Sequence, residues 1–168
     1  MAQISKEELI ETLTKCHNQK AAGESGIPYE LLKKMGETNI PYLLTMLNLC
    51  IFKLNIPSNW KNTMIYPIPK KTDWEGNLAD IRPITLIETT KKLLTKILTT
   101  RLNRILVKNN ILRGNNCAAL PGTSTHEPLH ILNNIMEEAW EKKKEVWMLF
   151  LDISKAYDSM STYMLEKA

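Results

Sequence analysis

Val146-Trp147-Met148-Leu149-Phe150-Leu151-Asp152 decides how the chain is read: six apolar residues in a row, then an acid. A run this short and this rich in bulky side chains reads as a strand buried on both faces. An acid closing such a run is costly unless it emerges at the strand end or meets a cation. Asp152 can cap a helix that follows the strand. It can equally offer a carboxylate to a hard metal ion, with backbone carbonyls as further ligands. Spacing alone leaves both readings open.

Immediately upstream, His126 to Lys144 has helical periodicity, with Leu129, Leu132, Ile135, Met136 and Trp140 expected to face inward. Its start, His126-Glu127-Pro128-Leu129-His130, matches H-E-x-x-H, the spacing that places two zinc ligands one turn apart around a general base. Pro128 fits only because this is a first turn, with Ser124 or Thr125 as cap. His17 is the one other histidine, and no third ligand stands at a convincing distance downstream. A zinc peptidase remains a remote alternative.

Further upstream, seven basic residues lie between Thr89 and His126 with no acid among them: Lys91, Lys92, Lys96, Arg101, Arg104, Lys108 and Arg113. The rest of the chain holds 15 basic residues against 18 acidic, so the whole net charge of +4 arises in this segment. Such a stretch reads either as a surface for phosphates or as a solvated helix face. Thr89 or Thr90 is expected to start a helix reaching about Lys108. Its apolar face holds Leu93, Leu94, Ile97, Leu98, Leu102, Ile105 and Leu106, and another face holds Lys92, Lys96 and Arg104. Before it, residues 63–69 and 81–86 read as an antiparallel hairpin with a long polar tip, and the prolines suit an edge.

The first 56 residues read as three short helices. Ser5 and Glu8 form a capping box, with Ile4 able to staple onto Leu9. Pro28 starts a second helix that Gly36 ends, and Asn39 can cap a third from Ile40 to about Leu54. This packing unit carries no reactive group of its own.

Length and composition bound the rest. The chain has 168 residues, 43% hydrophobic and 24% charged, which excludes disorder and suits one domain or part of a larger one. No apolar run approaches the roughly 20 residues of a membrane span. Cys16, Cys50 and Cys117 are odd in number and widely spaced, as expected of thiols in a reducing, intracellular setting, with nuclear and cytoplasmic locations not distinguished. Phosphate-loop and dinucleotide glycine motifs are absent.

Phe150-Leu151-Asp152-Ile153-Ser154-Lys155-Ala156-Tyr157-Asp158 closely resembles the first catalytic motif of reverse transcriptases, especially those of non-LTR retrotransposons. Ile68-Pro69-Lys70, Ile81-Arg82-Pro83-Ile84-Thr85-Leu86, Lys92 to Leu98 and Arg101-Leu102 look like the fingers segment of that family. Pro121-Gly122-Thr123-Ser124-Thr125 resembles its P-G-R-S-T loop, with Thr123 in place of Arg. Asn116, Ala118 and Ala119 also depart from a common Q-x-G-F pattern before that loop. Lys20-Ala21-Ala22-Gly23-Glu24-Ser25-Gly26-Ile27-Pro28 is similar to the stretch that often precedes the fingers.

The resemblance implies an α+β fold: a partial fingers–palm unit of a polymerase-type right hand, over 57–168, preceded by a small helical region, 1–56. It implies RNA-directed DNA polymerisation by a two-metal mechanism, with RNA template, DNA primer and deoxynucleoside triphosphates as partners. Asp152, helped by the carbonyl of Ile153, would bind Mg²⁺, or Mn²⁺. Ala156 and Tyr157 would line the sugar of the incoming nucleotide, and Lys70 and Arg82 would grip its triphosphate. Lys92, Lys96 and Arg104 would flank the template, and Asp158 takes no metal role. The family's Tyr-x-Asp-Asp hairpin has no counterpart among the four aspartates, Asp73, Asp80, Asp152 and Asp158. The expectation is therefore a fragment, inactive alone without the missing palm and thumb segments. The alternative is a non-catalytic remnant that binds nucleic acid through the basic helix.

Overall fold

The computed structural model describes residues 2–109, 111, 117, 124–154 and 156–167, and not the side chains of Tyr157 and Asp158. The loop residues Asn116, Ala118, Ala119 and 121–123 lie outside the described residues. The chain divides into two compact units, Met1–Arg113 and Gly114–Ala168. Among the described residues the fold is α+β, with several helices and one two-stranded sheet.

The first unit opens with α1 (Lys6–Thr14), and the Ser5 hydroxyl accepts from the amide of Glu8, as its capping box requires. Ile4 and Leu9, the expected staple pair, are both buried. Helix α2 (Tyr29–Lys33) follows, and then α3 (Ile40–Lys53). Asn39 stands before α3 without its side chain capping it. The entry is set instead by Pro41 in the first turn, whose fixed φ suits that position. Asn48 on α3 holds the backbone of Ile4 from both sides, accepting its N–H at 2.7 Å and donating to its carbonyl at 3.0 Å.

Strands β1 (Met64–Pro69) and β2 (Ile81–Leu86) pair antiparallel, from Met64 opposite Leu86 to Pro69 opposite Ile81. Pro67 faces Pro83 in this register. Proline has no N–H to give, so the pair must occupy a non-hydrogen-bonded position. The alternation then makes Tyr66–Ile84 and Ile68–Arg82 the hydrogen-bonded pairs. One step on, the Lys70 amide donates to the Asp80 carbonyl at 2.8 Å, in phase with this.

After the hairpin comes α4 (Thr89–Lys108), with the bounds its sequence predicts. Leu93, Leu94 and Ile97 are buried in one core with Leu9, Leu13, Leu32, Leu43, Leu47 and Trp60. The helices before residue 57 thus share their interior with α4. The apolar face of α4 is covered only in its first half: Leu102 and Ile105 are exposed.

The second unit contains α5 (His126–Glu141), α6 (Ala156–Ser159) and α7 (Thr162–Lys167). Two expectations fail here. Residues 146–151 form no strand, and Trp147, Leu149, Phe150 and Leu151 are each about four-fifths exposed or more (91%, 83%, 79% and 86%). The side chains of Leu129, Ile135, Met136 and Trp140 on α5 are exposed as well. A strand exists only by exchanging hydrogen bonds with neighbours, and an amphipathic helix is covered only by a second layer. No described residue of this unit is buried, so neither layer nor neighbour is supplied.

Candidate nucleotide-binding hairpin and carboxylate motif

Side chains alternate across a strand, so residues two apart share a face. In the observed register Met64, Tyr66, Ile68 and then Lys70 line one face of β1, opposite Leu86, Ile84 and Arg82. The two cations proposed for a triphosphate therefore meet on one side of the hairpin, as diagonal neighbours near its tip. Both are exposed. The Lys70 ammonium donates to the Ala79 carbonyl at 2.7 Å, which leaves two of its protons for a ligand. The tip is ordered by its own contacts: Trp74 Nε1 donates to the Asn77 carbonyl at 2.7 Å, and Asn77 Oδ1 accepts the Ala79 amide at 3.0 Å. Gly76 takes φ +90°, a backbone state that side chains disfavour.

The basic face of α4 is put to a use its charge pattern does not announce. Lys91 Nζ donates to the Trp60 carbonyl at 2.9 Å, Lys92 Nζ to Ala21 at 2.7 Å and Lys96 Nζ to Lys15 at 3.0 Å. Arg101 forms a forked pair with Glu8, at 2.8 and 2.6 Å, and also donates to the carbonyls of Ala2 and Gln3. Burial holds the Lys92 ammonium below its ordinary pKa, against the pull of Glu88. The Arg101 guanidinium beside Glu8 holds that carboxyl below the usual range. Arg104 is exposed, beside Glu8 and Glu11.

Sequence reasoning missed the residue that organises the start of α4. Glu88 caps no amide of its own helix. Its buried carboxylate reaches back to the loop 20–28, accepting the Ser25 amide at 2.8 Å and the Ser25 hydroxyl at 2.5 Å. Thr89 Oγ1 donates to the Ile27 carbonyl at 2.5 Å alongside. Gly23 lies so close that an added Cβ would fall 2.7 Å from Glu88 Cα. The only signal was the glycine in the loop, which required a close approach without naming the partner.

Asp152, Ile153 and Ala156 belong to the second unit and are exposed. Backbone bounds place Ala156 and Tyr157 on α6, and the Tyr157 side chain lies outside the described residues. A carboxylate and a carbonyl are the right donors for a hard cation. No group of three or more acidic, histidine or cysteine side chains converges among the described residues, so this donor set does not amount to a two-metal centre. The same holds for His126 and His130, which stand in the first turns of α5 without a third ligand. Among the described residues no helix is long and apolar enough to cross a membrane.

Comparison with known proteins gives the family. The chain is 28% identical over 155 residues to a protein named probable RNA-directed DNA polymerase from transposon BS of Drosophila melanogaster, covering 92% of this chain and 17% of that protein. It is 27% identical over 163 residues to the RNA-directed DNA polymerase from mobile element jockey of Drosophila funebris, covering 92% and 17%. Similarity to the retrovirus-related Pol polyprotein from type-1 retrotransposable element R2 of Popillia japonica is 28% over 158 residues, covering 94% and 21%. The chain thus spans about a fifth or less of the length of these relatives. A family profile described as reverse transcriptase (RNA-dependent DNA polymerase) matches residues 68–167, from the cationic hairpin through the Asp152 motif. The chain belongs to the reverse transcriptase family, and its similarities are to the non-LTR retrotransposon type.

Proposed function

We propose that this chain is the fingers and first palm segment of a retroelement reverse transcriptase, whose full activity is template-directed nucleotidyl transfer from RNA into DNA. The observation that carries the reading is the hairpin register, which sets Lys70 and Arg82 on one exposed face within the family match. A planar fork and a point charge side by side suit a deoxynucleoside triphosphate, the fork for paired oxygens and the ammonium for a single one.

Asp152 and the Ile153 carbonyl contribute ligands toward Mg²⁺ or Mn²⁺, and acidic residues beyond those described must complete the set. Ala156 and Tyr157 line the sugar. Arg104, and the outward protons of Lys92 and Lys96, flank the template. With one carboxylate the chain alone does not polymerise. The test is a graft: this chain replaces the matching segment of the jockey polymerase. Arg82→Gln is then expected to raise KM for deoxynucleotides while kcat changes little. An unchanged KM contradicts the assignment.

A further inference from the structure

Cys16 does not stand alone at the end of α1. Its thiol donates to the Thr12 carbonyl at 3.3 Å, and the Lys96 ammonium of α4 donates to the same sulfur at 3.7 Å, across 80 residues of chain. A second ammonium, Lys33 Nζ, donates to the Cys16 carbonyl at 2.6 Å. Burial, and then Cys16 itself, push the Tyr29 phenol up to about 12, so that ring keeps its proton beside the sulfur. Cys16 is 5% exposed, but Lys96 is only half-buried and its bond to the Lys15 carbonyl is open to solvent. A small solute can therefore reach the pair from the lysine side.

The carbonyls that end a helix lack partners within it, which accounts for the bonds from Lys33 and Lys96 to the backbone of residues 15 and 16. It does not account for an amine set on a thiol. Peroxide oxidises a thiol to a sulfenic acid, and a nearby nitrogen can then displace the hydroxyl from that sulfur. We propose that Cys16 and Lys96 form a modification site for peroxide, at which oxidation joins α1 to α4 through a reversible sulfur–nitrogen bond. In the first step the sulfur attacks one peroxide oxygen and gives up two electrons as the O–O bond breaks. The Lys96 ammonium protonates the departing oxygen, which leaves as water, and the thiol proton passes to solvent. In the second step the Lys96 amine, now neutral, attacks the sulfenic sulfur. The S–N bond forms, the S–O bond breaks, and the hydroxide leaves as water with a proton from the amine. One peroxide thus yields one sulfenamide, two waters and a proton. A dithiol reverses the link by attacking the sulfur, releasing the amine and closing its own disulfide. Cys50 is the internal comparison, since it too is buried and burial pushes its thiol up. None of this rests on the nucleotidyl-transfer reading above.

The test treats the folded 168-residue chain with hydrogen peroxide at low protein concentration, then reads intact mass and tryptic peptides. The chain is expected to lose two hydrogens, about 2 Da. A linked peptide should join residues 16–20 to residues 93–101, uncleaved at Lys96, and dithiothreitol should release it. Lys96→Arg is expected to abolish the link and raise dimedone labelling of Cys16, because the guanidinium keeps the charge but does not displace the hydroxyl. Cys50 is expected to stay reduced. Wild-type Cys16 that remains a thiol, proceeds to a sulfinic acid, or pairs with Cys50 or Cys117 overturns the proposal. So does a link that forms equally well in urea, where the fold no longer brings the two groups together. A link between light and heavy chains in an isotopically mixed sample overturns it as well.

Discussion

The Ser25 hydroxyl donates to Glu88 Oε2 at 2.5 Å, and the Ser25 amide donates to Oε1 at 2.8 Å, across 63 residues of chain. One carboxylate thereby ties the loop 20–28 to the junction between β2 and α4. The Ser25 hydroxyl and then its amide hold the Glu88 pKa below the ordinary 4.5. A carboxyl depressed in the folded state adds stability that is complete above its unfolded pKa. That stability is lost as pH falls through the folded value. Glu88→Gln is therefore expected to cost about 2 kcal/mol at neutral pH and to flatten the acid limb of a stability–pH profile. Urea denaturation across the acid range checks both.

Gly23 supplies the other half of the same junction. A methyl group there meets Glu88 Cα and N, both at 2.7 Å, and backbone cannot swing aside as a side-chain tip can. Gly23→Ala is expected to destabilise by about 1–3 kcal/mol. Gly36→Ala is the control, since its nearest contact is Thr38 Oγ1 at an ordinary 3.8 Å. It should shift the unfolding midpoint far less.

The cations of α4 divide by use. Arg101 is half-buried and answers Glu8 and two carbonyls, so Arg101→Met should cost about 2–4 kcal/mol. Arg101→Lys should recover little, because an ammonium cannot reproduce the fork. Lys92→Gln and Lys96→Gln should lower thermal stability, since each loses a bond to the helical region. Arg104→Gln should leave stability nearly unchanged and lower the salt slope of RNA binding by about one unit if it meets a phosphate. Calorimetry and salt titration separate the two classes.

How much of this was legible in sequence follows from how local each signal is. The hairpin and α4 were readable because prolines at alternate positions and the apolar repeat after Thr89 act within a few residues. The face shared by Lys70 and Arg82 needed the register, which the prolines at 67 and 83 fix only once they are seen opposite each other. Glu88 was invisible because its partner is remote and its own position looks like an ordinary helix start. Lys92 and Lys96 looked like charges for phosphates, and their first partners are carbonyls of the N-terminal region. Residues 146–151 read as a buried strand because their composition suits one, yet composition cannot supply the neighbours a strand must pair with.

The exposed run Trp147–Leu151 should drive association of the chain at moderate concentration, since it offers apolar side chains with no strand pairing. Replacing Leu149 and Leu151 with Lys is expected to shift sedimentation toward the monomer. Unchanged association would point to the apolar face of α5.

Tyr157→Ala in the grafted jockey polymerase is expected to admit ribonucleotides, because a ring that lines the sugar would fill the space a 2′-hydroxyl needs. Equal discrimination between ribo- and deoxyribonucleotide in both forms would remove that role.

The central claim is that Asp152 serves nucleotidyl transfer in a complete polymerase and not in this segment alone. Primer extension on an RNA template with Mg²⁺, by that same graft, tests it most directly. Extension by the graft, its abolition by Asp152→Asn with RNA binding retained, and none by the 168 residues alone are the expected results. Extension that survives Asp152→Asn, or extension by the isolated chain, would contradict the account.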